Sequence, residues 1–511
     1  MEIADLVFVN AKVITMDEND TMASAIAIKG ERIISVGSES KVKQFVGKGT
    51  KVVNLEGKVV LPGFIDTHVH FLLTGLGLIR GIDLWEVRSI NEILDKISAF
   101  KEKIPKGELI RGYRLDESRI RERRFPTRWE LDKVAPEHYI VITNVEGHSC
   151  TVNTKTLEYL NFPKNAKGVD RDPVTDEPTG VLRDPAVFSA HHLLDVLDSD
   201  VTCIKALKAA ADKAVSVGLT TIHALEWARG FNLLLKHRES LPVRIKLYAV
   251  AETPKEVDDI IGMQKPEIGV KIITDGAFGA HTAALFEPYS DNPSTKGTLI
   301  YTDEELNKMV MKAHKAGLQL ALHAVGEAAI EQVLNVYEKA LKVYPKSNHR
   351  HRIEHFELPT QDQIKRVAKL GVTLAMQPQH LCLFNYKEFI GDRVKKAHPY
   401  KLIQENNILV AGGSDSPVAL MDPLFCVHCL VNMPEPDQRV SIREALRINT
   451  INGAKMGFEE HVKGTIEAGK LADLVVISDD PYSVEPEKIK DIKVLMTIVG
   501  GKIVYTSPEK L

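Results

Sequence analysis

Eight short apolar segments recur along the chain, and the stretches between them carry explicit helix-start signals. The segments are LPGFIDTHVH (61–70), GLTTIHAL (218–225), RIKLYAV (244–250), VKIITDG (270–276), LQLALHAVG (318–326), HRIEHF (351–356), VTLAMQPQ (372–379) and NILVAGGSD (407–415). Each is β-branched or Leu-rich and largely apolar, as expected of parallel strands buried on both faces. Thr253 to Glu256, Thr302 to Glu305, Thr360 to Gln363 and Ser441 to Glu444 all have the spacing of a capping box, in which side chain and backbone at a helix start satisfy each other. Gly218, Gly317 and Gly371 stand where a left-handed helix end is wanted. Strand and helix alternating eight times predict an α/β chain built as a (β/α)8 barrel.

One interval breaks the rhythm. Between His70 and Gly218 there are too many residues for a single helix, so residues 72–200 are predicted to form an inserted lobe after the first strand. Insertions at that end of a barrel serve as lids or substrate walls. Residues 1–59 and 462–505 are strand-and-turn stretches, with Gly30 and Gly500-Gly501 as hairpin turns. Two such pieces flanking one barrel are predicted to combine into a single β-sandwich. The predicted organisation is therefore 1–59 with 460–511 as a composite sandwich, 60–71 with 201–459 as the barrel, and 72–200 as the lobe.

Barrel enzymes place their chemistry at the C-terminal ends of the strands. His68 and His70, two apart on an extended strand, point to the same side and can grip one ion. An isolated HxH pair is weak evidence, but His323, His355 and Asp415 stand at or near the ends of their own strands. Lys271 sits early in strand four and has to reach up the barrel. These six residues are predicted to form a metal site.

At 511 residues, 44% hydrophobic and 26% charged, with a net charge of -3, the chain has the composition of a soluble enzyme and no charge bias toward nucleic acid or membrane. Its first ten residues carry acids where a signal peptide needs bases, so a cytoplasmic location is expected, with a small-molecule substrate and a homodimer as the commonest assembly. Five scattered cysteines (150, 203, 382, 426 and 429) read as free thiols, and the CVHC string is expected to face inward on a helix rather than bind metal.

PGFIDTHVH, VKIITDGAFG, LHAVG, RIEH, GGSDSP and GTIEAGKLADLVVI together resemble the amidohydrolase superfamily, metal-dependent hydrolases with a barrel and a terminal sandwich. EGHSCTVN in the insertion, with LHAVG and the Lys271 string, is similar to the branch that holds N-substituted formamide deformylases. The resemblance implies that His68, His70 and Asp415 hold one divalent ion and His323 and His355 another, zinc being the best match to such donors. It also implies a carboxylated Lys271 bridging the two; otherwise Lys271 stays a cation paired with Asp275 or Asp415 beside a single ion. A metal-activated water would attack an amide, formamide or cyclic amide, with Asp415 taking its proton and passing it to the departing amine.

His148, Asn153 and Arg183 on the lobe, and His223 at the end of strand two, are candidate substrate contacts. Trp85, Trp129 and Trp227 are candidate aromatic walls. Two other readings compete: a mononuclear deaminase or an esterase or lactonase of the same superfamily, and a metal-free regulatory barrel. A deaminase places a Glu three residues after the strand-five His, where this chain has Gly326 with Glu327 one residue late. A regulatory barrel is marked by lost ligands, and none is lost here.

Overall fold

The computed structural model describes residues 2–508, apart from the side chains of residues 194–196. At its centre an eight-stranded sheet takes its strands in chain order: Phe64–Val69, Leu219–Glu226, Arg244–Val250, Gly269–Ile273, Gln319–Ala324, Arg352–His355, Thr373–Met376 and Val410–Gly412. Every neighbouring pair is parallel. Strand eight is brought back to strand one by a parallel bridge between Val69 and Ser416 and by the Asp415 N–H donating to the His68 carbonyl at 2.7 Å. Gly413 permits that approach, because a Cβ there would lie 2.6 Å from the His68 Cβ. Six of the eight strands fall within the eight apolar segments, and the other two run one residue past theirs, at Glu226 and Gly269.

The helix signals act as the physics requires. Thr253, Thr302 and Thr360 make reciprocal capping boxes. The fourth is half made: Ser441 accepts from the Glu444 N–H, while the Glu444 carboxylate turns to Arg443. Gly218, Gly317 and Gly371 take positive φ at the turns from helix to strand.

The lobe carries its own six-stranded sheet, ordered Val169–Arg171, Pro178–Arg183, Ser149–Val152, Tyr139–Asn144, Leu109–Leu115 and Gly81–Asp83. Its first strand starts later than residue 72. Phe71–Arg80 is a helix whose Phe71, Leu72 and Leu76 join the barrel's apolar cluster, and Gly75 lets it press on the helix Asp200–Ser216, where a Cβ would sit 2.0 Å from the Ala206 carbonyl oxygen.

Strands from the two ends of the chain share one sheet. Leu474–Ile477 pairs antiparallel with Val59–Pro62 in a six-stranded sheet that also holds Lys12–Ile14, Met22–Ala23, Val494–Val499 and Lys502–Thr506. A second sheet of four strands is formed by Arg32–Gly37, Ala25–Lys29, Leu6–Val9 and Lys51–Asn54. One apolar cluster takes Phe8, Ile26 and Ile28 from the N-terminal part and Ile466, Leu474 and Ile498 from the C-terminal part. The five cysteines are free, with Cys426 and Cys429 buried, and among the described residues no helix is long and apolar enough to cross a membrane.

Candidate metal centre and active site

His68, His70, Lys271, His323, His355 and Asp415 line one cavity of about 100 Å³ at the C-terminal ends of the strands. Strand alternation brings His68 and His70 to it. At strands six and eight the chain ends in left-handed backbone, φ +72° at His355 and +57° at Asp415, conformations uncommon outside glycine and found where a site dictates a side chain's direction.

Buried partners behind the cavity fix which ring nitrogens face it. His68 Nδ1 lies 2.6 Å from Glu354 Oε2, and that carboxylate is also gripped in a bidentate pair by Arg352, at 2.7 and 2.6 Å. Arg352 reaches onward to the Thr67 carbonyl at 2.7 Å. His70 Nδ1 lies 3.0 Å from the Leu225 carbonyl, which can only accept, so the His70 proton sits on Nδ1. Glu354, paired with Arg352, can likewise only accept, so the His68 proton also sits on Nδ1, and burial pushes the pKa of His68 well below its ordinary value, the nearby Lys271 adding to the effect. Both Nε2 atoms then carry lone pairs toward the cavity. They meet Asp415 Oδ1 at 3.4 Å from His68 and 3.3 Å from His70. His68 Nε2 and Asp415 Oδ1 are buried without a hydrogen-bond partner. Three lone pairs aimed at one point repel one another unless a cation lies among them, so this donor set fits a divalent metal.

On the other side of the cavity His323 and His355 stack edge to face, with ring centroids 4.3 Å apart, and His355 lies 4.9 Å from His68. His323 Nε2 faces the Gly276 carbonyl at 3.1 Å, leaving Nδ1 as the nitrogen with a lone pair. Asp275, the alternative partner foreseen for Lys271, instead accepts backbone N–H groups from Val325, Gly326 and Ala284 at 3.0, 3.0 and 2.9 Å and stands 3.4 Å from His323 Nε2. Lys271 is buried, and among the described residues it has no carboxylate within ion-pair distance. Burial lowers its pKa to about 8, with Glu354 and Asp415 opposing and Arg352 adding to the shift.

The four candidate substrate contacts divide. His148 lines the cavity, held by Asp184 Oδ2 at 2.8 Å, with its ring 5.0 Å from His323. Asn153 does not reach it: its side chain caps the helix Thr154–Leu160 and binds the Ile140 N–H and the His138 carbonyl, and so builds the lobe. His223 is also outside, buried with Nδ1 3.1 Å from Arg352 Nη1, because strand two turns it toward the barrel interior beneath the ligands. Arg183 pairs with Asp170 and lines a neighbouring cleft. Of the tryptophans, Trp227 lines the cavity and stacks on His70, whereas Trp85 and Trp129 stack with arginines of the lobe.

Sequence reading missed Glu354 and Arg352, although both stand in the RIEH string beside His355. It also missed His191 and Glu146 in the cavity wall and the Glu357–His380 pair, at 3.1 Å, behind His355. A charged pair inside a strand otherwise buried on both faces was the available signal.

A family model described as the amidohydrolase family matches residues 51–505. The chain is 28% identical to N-substituted formamide deformylase of Arthrobacter pascens, over 99% of both chains. It is 29% identical to Protein LONG AFTER FAR-RED 3 of Arabidopsis thaliana, covering 98% of this chain and 92% of that one. A solved structure titled an uncharacterized metal-dependent hydrolase, from Pyrococcus horikoshii, superposes with a TM-score of 0.77 at 27% identity, covering 94% of this chain and 99% of the other. The chain belongs to the amidohydrolase family, and it is a hydrolase.

Proposed function

We propose that this enzyme holds one or two divalent metal ions, zinc by preference, and hydrolyses a carbon–nitrogen bond in a small amide, formamide or cyclic amide. The convergence of His68 Nε2 and His70 Nε2 on Asp415 Oδ1, at 3.4 and 3.3 Å, without a proton to share, carries this reading. His68, His70 and Asp415 are assigned to one ion and His323 and His355 to the other. Lys271 would serve the ions as a carbamate ligand, since a buried amine without a carboxylate partner is readily neutral and open to carbon dioxide. Bound ions of this kind polarise a carbonyl and make water a nucleophile near neutral pH.

The chain's own groups do the rest. The Asp415 carboxylate takes the proton of the attacking water. Glu354 and the Leu225 carbonyl hold the His68 and His70 rings in the orientation that keeps Nε2 on the cavity, the usual task of a metal site's outer partners. Leu73, Phe188, Trp227, Ile273 and Val418 give the substrate body an apolar wall. Lobe residues Val141, Thr143 and His148 close the mouth, which is the role proposed for the insertion. The formamide deformylase relative makes N-substituted formamides the first substrates to try. Elemental analysis of purified protein, with release of formate or amine before and after chelation, tests the reading. One to two equivalents of metal and loss of turnover on chelation are expected; full turnover in the chelated protein rejects it.

A further inference from the structure

One strand of the lobe steps out of register where it reaches the metal-facing cavity. Between the pairs Gly112 with Ile142 and Leu115 with Asn144, the strand Leu109–Leu115 advances three residues while its neighbour Tyr139–Asn144 advances two, so one residue is extra. Side chains of a regular strand alternate, so Ile110 and Leu115 should face opposite ways. Instead both enter the same apolar cluster of the lobe. The extra residue between them takes Arg114 out of the alternation, with left-handed backbone at φ +60°. Bulges beside active sites re-aim a side chain, and strained backbone at a non-glycine residue is held where a ligand clamp needs it. Arg114 ends in the wall of the cavity that also holds the metal ligands, beside Arg111, Tyr113 and Glu146.

Its guanidinium is anchored on one side and open on one edge. Nη1 donates to Asp83 Oδ2 at 2.9 Å, and the guanidinium carbon lies 4.9 Å from the centre of the Trp85 ring, which Arg119 also covers at 4.0 Å. Arg114 is 9% exposed, and its Nε is buried with no hydrogen-bond partner. Asp83 takes Nη1 only, and its own side chain is 44% exposed, so it does not occupy the edge formed by Nε and Nη2. That edge of a guanidinium matches the two oxygens of a carboxylate. A buried donor left unmade is costly, so a strained, anchored arginine with this edge open is built for a ligand.

We propose that Arg114 sets the substrate class of this enzyme by taking a substrate carboxylate on that edge. The inference rests on the amide-hydrolase reading for the bond that is cleaved, and adds what the rest of the substrate carries. A substrate with its amide beside His68, His70 and Asp415 lies against Leu73, Phe188, Trp227 and Ile273, and a carboxylate at its far end meets Arg114. Small N-formyl or N-acyl amino acids with an apolar side chain have those three parts. A neutral N-alkyl formamide offers the arginine nothing and leaves its buried donor unmade, which is how a polar site rejects an analogue lacking the matching group.

The test uses the metal-loaded enzyme with N-formylphenylalanine and N-formylphenethylamine, which share the formamide and the ring and differ by the carboxylate. The wild type is expected to favour the first by about 10-fold or more in kcat/KM. Arg114→Gln should lose on the order of 10- to 100-fold on the first, mainly through KM, with little change on the second. Arg114→Lys keeps the charge without the fork and should lose most of the same preference. Calorimetry supplies a readout without turnover: phenylpropionate should bind Arg114→Gln on the order of 10-fold more weakly than the wild type, and phenylpropanol should bind both alike. A wild type that prefers the neutral formamide, or phenylpropionate that binds wild type and Arg114→Gln equally, overturns the proposal. Arg114-dependent binding of phenylpropionate without turnover of either formamide supports the carboxylate site and rejects the amide-hydrolase reading alone.

Discussion

Two groups of histidines occupy opposite ends of the same barrel strand, and they differ in what their nitrogens do. At the start of Arg352–His355, His351 Nδ1 accepts the Leu320 N–H at 3.1 Å, and its Nε2 meets His314 Nδ1 at 2.8 Å. His314 Nε2 reaches the Tyr344 carbonyl at 2.7 Å, and His349 binds the Leu370 carbonyl at 2.9 Å and the His351 N–H at 2.9 Å. Every ring nitrogen there has a partner. At the other end, His68 Nε2 is buried with none and faces another lone pair. Protein interiors rarely aim buried lone pairs at one another, so the end where His68 Nε2 and His70 Nε2 converge on Asp415 Oδ1 marks the site and the matched end is structure. Counting histidines would not have separated them.

The largest effect expected at the unmatched end is loss of the ion. His68→Ala combined with His70→Ala should remove bound metal and all measurable turnover, and full metal occupancy in that protein would put the site elsewhere. Chelation should lower the melting temperature of the wild type, since an ion bound only to the native state stabilises it by mass action. His351→Gln should leave metal content unchanged.

Next comes the charge network beneath the site. Glu354→Ala leaves Arg352 buried without its carboxylate and frees the His68 ring to turn, so about 3–5 kcal/mol of stability should be lost, measured by urea denaturation, together with metal affinity. A loss under 1 kcal/mol would show that Arg352 is satisfied by Thr67 and His223 alone.

Asp415→Asn separates holding from proton transfer. It keeps the shape and one donor oxygen, so metal should remain while kcat falls on the order of 100-fold. Metal retained with near-normal turnover would pass the proton-accepting role to another group, with Asp275 next to test.

The barrel and its ligands were legible because both obey local rules: apolar strands buried on two faces, capping threonines, and ligand residues near strand ends. What stayed hidden depends on contacts between distant segments. Asn153 in EGHSCTVN reads like a substrate contact, yet its side chain satisfies Ile140 and Thr156 within the lobe. His223 ends an apolar segment as His323 does, but only the assembled barrel shows that it faces Arg352 rather than the mouth. The helix Phe71–Arg80 looked like the start of the insertion because its partner, Asp200–Ser216, lies on the far side of the lobe sequence.

The smallest effect belongs to the matched end and concerns acid. Burial lowers the His351 pKa well below its ordinary value, with His349 and His314 adding to the shift, and burial likewise lowers that of His349. Both are therefore neutral in the native state, while in the unfolded chain they titrate near the ordinary value of about 6.5. Below that pH the unfolded state binds more protons, so their stabilising contribution is present above about pH 6.5 and is lost as pH falls toward the depressed native values, by at most about 1.4 kcal/mol per pH unit for each group. His351→Gln can still offer a donor and an acceptor but cannot titrate. Compared in metal-free protein, where the ligand histidines contribute equally to both, the variant should lose stability less steeply between about pH 6 and pH 5 by roughly that amount. An unchanged slope would mean that His351 is already protonated in the fold, sharing its charge with His314, and the contrast between the two ends would then rest on the lone pairs at His68 and Asp415 alone.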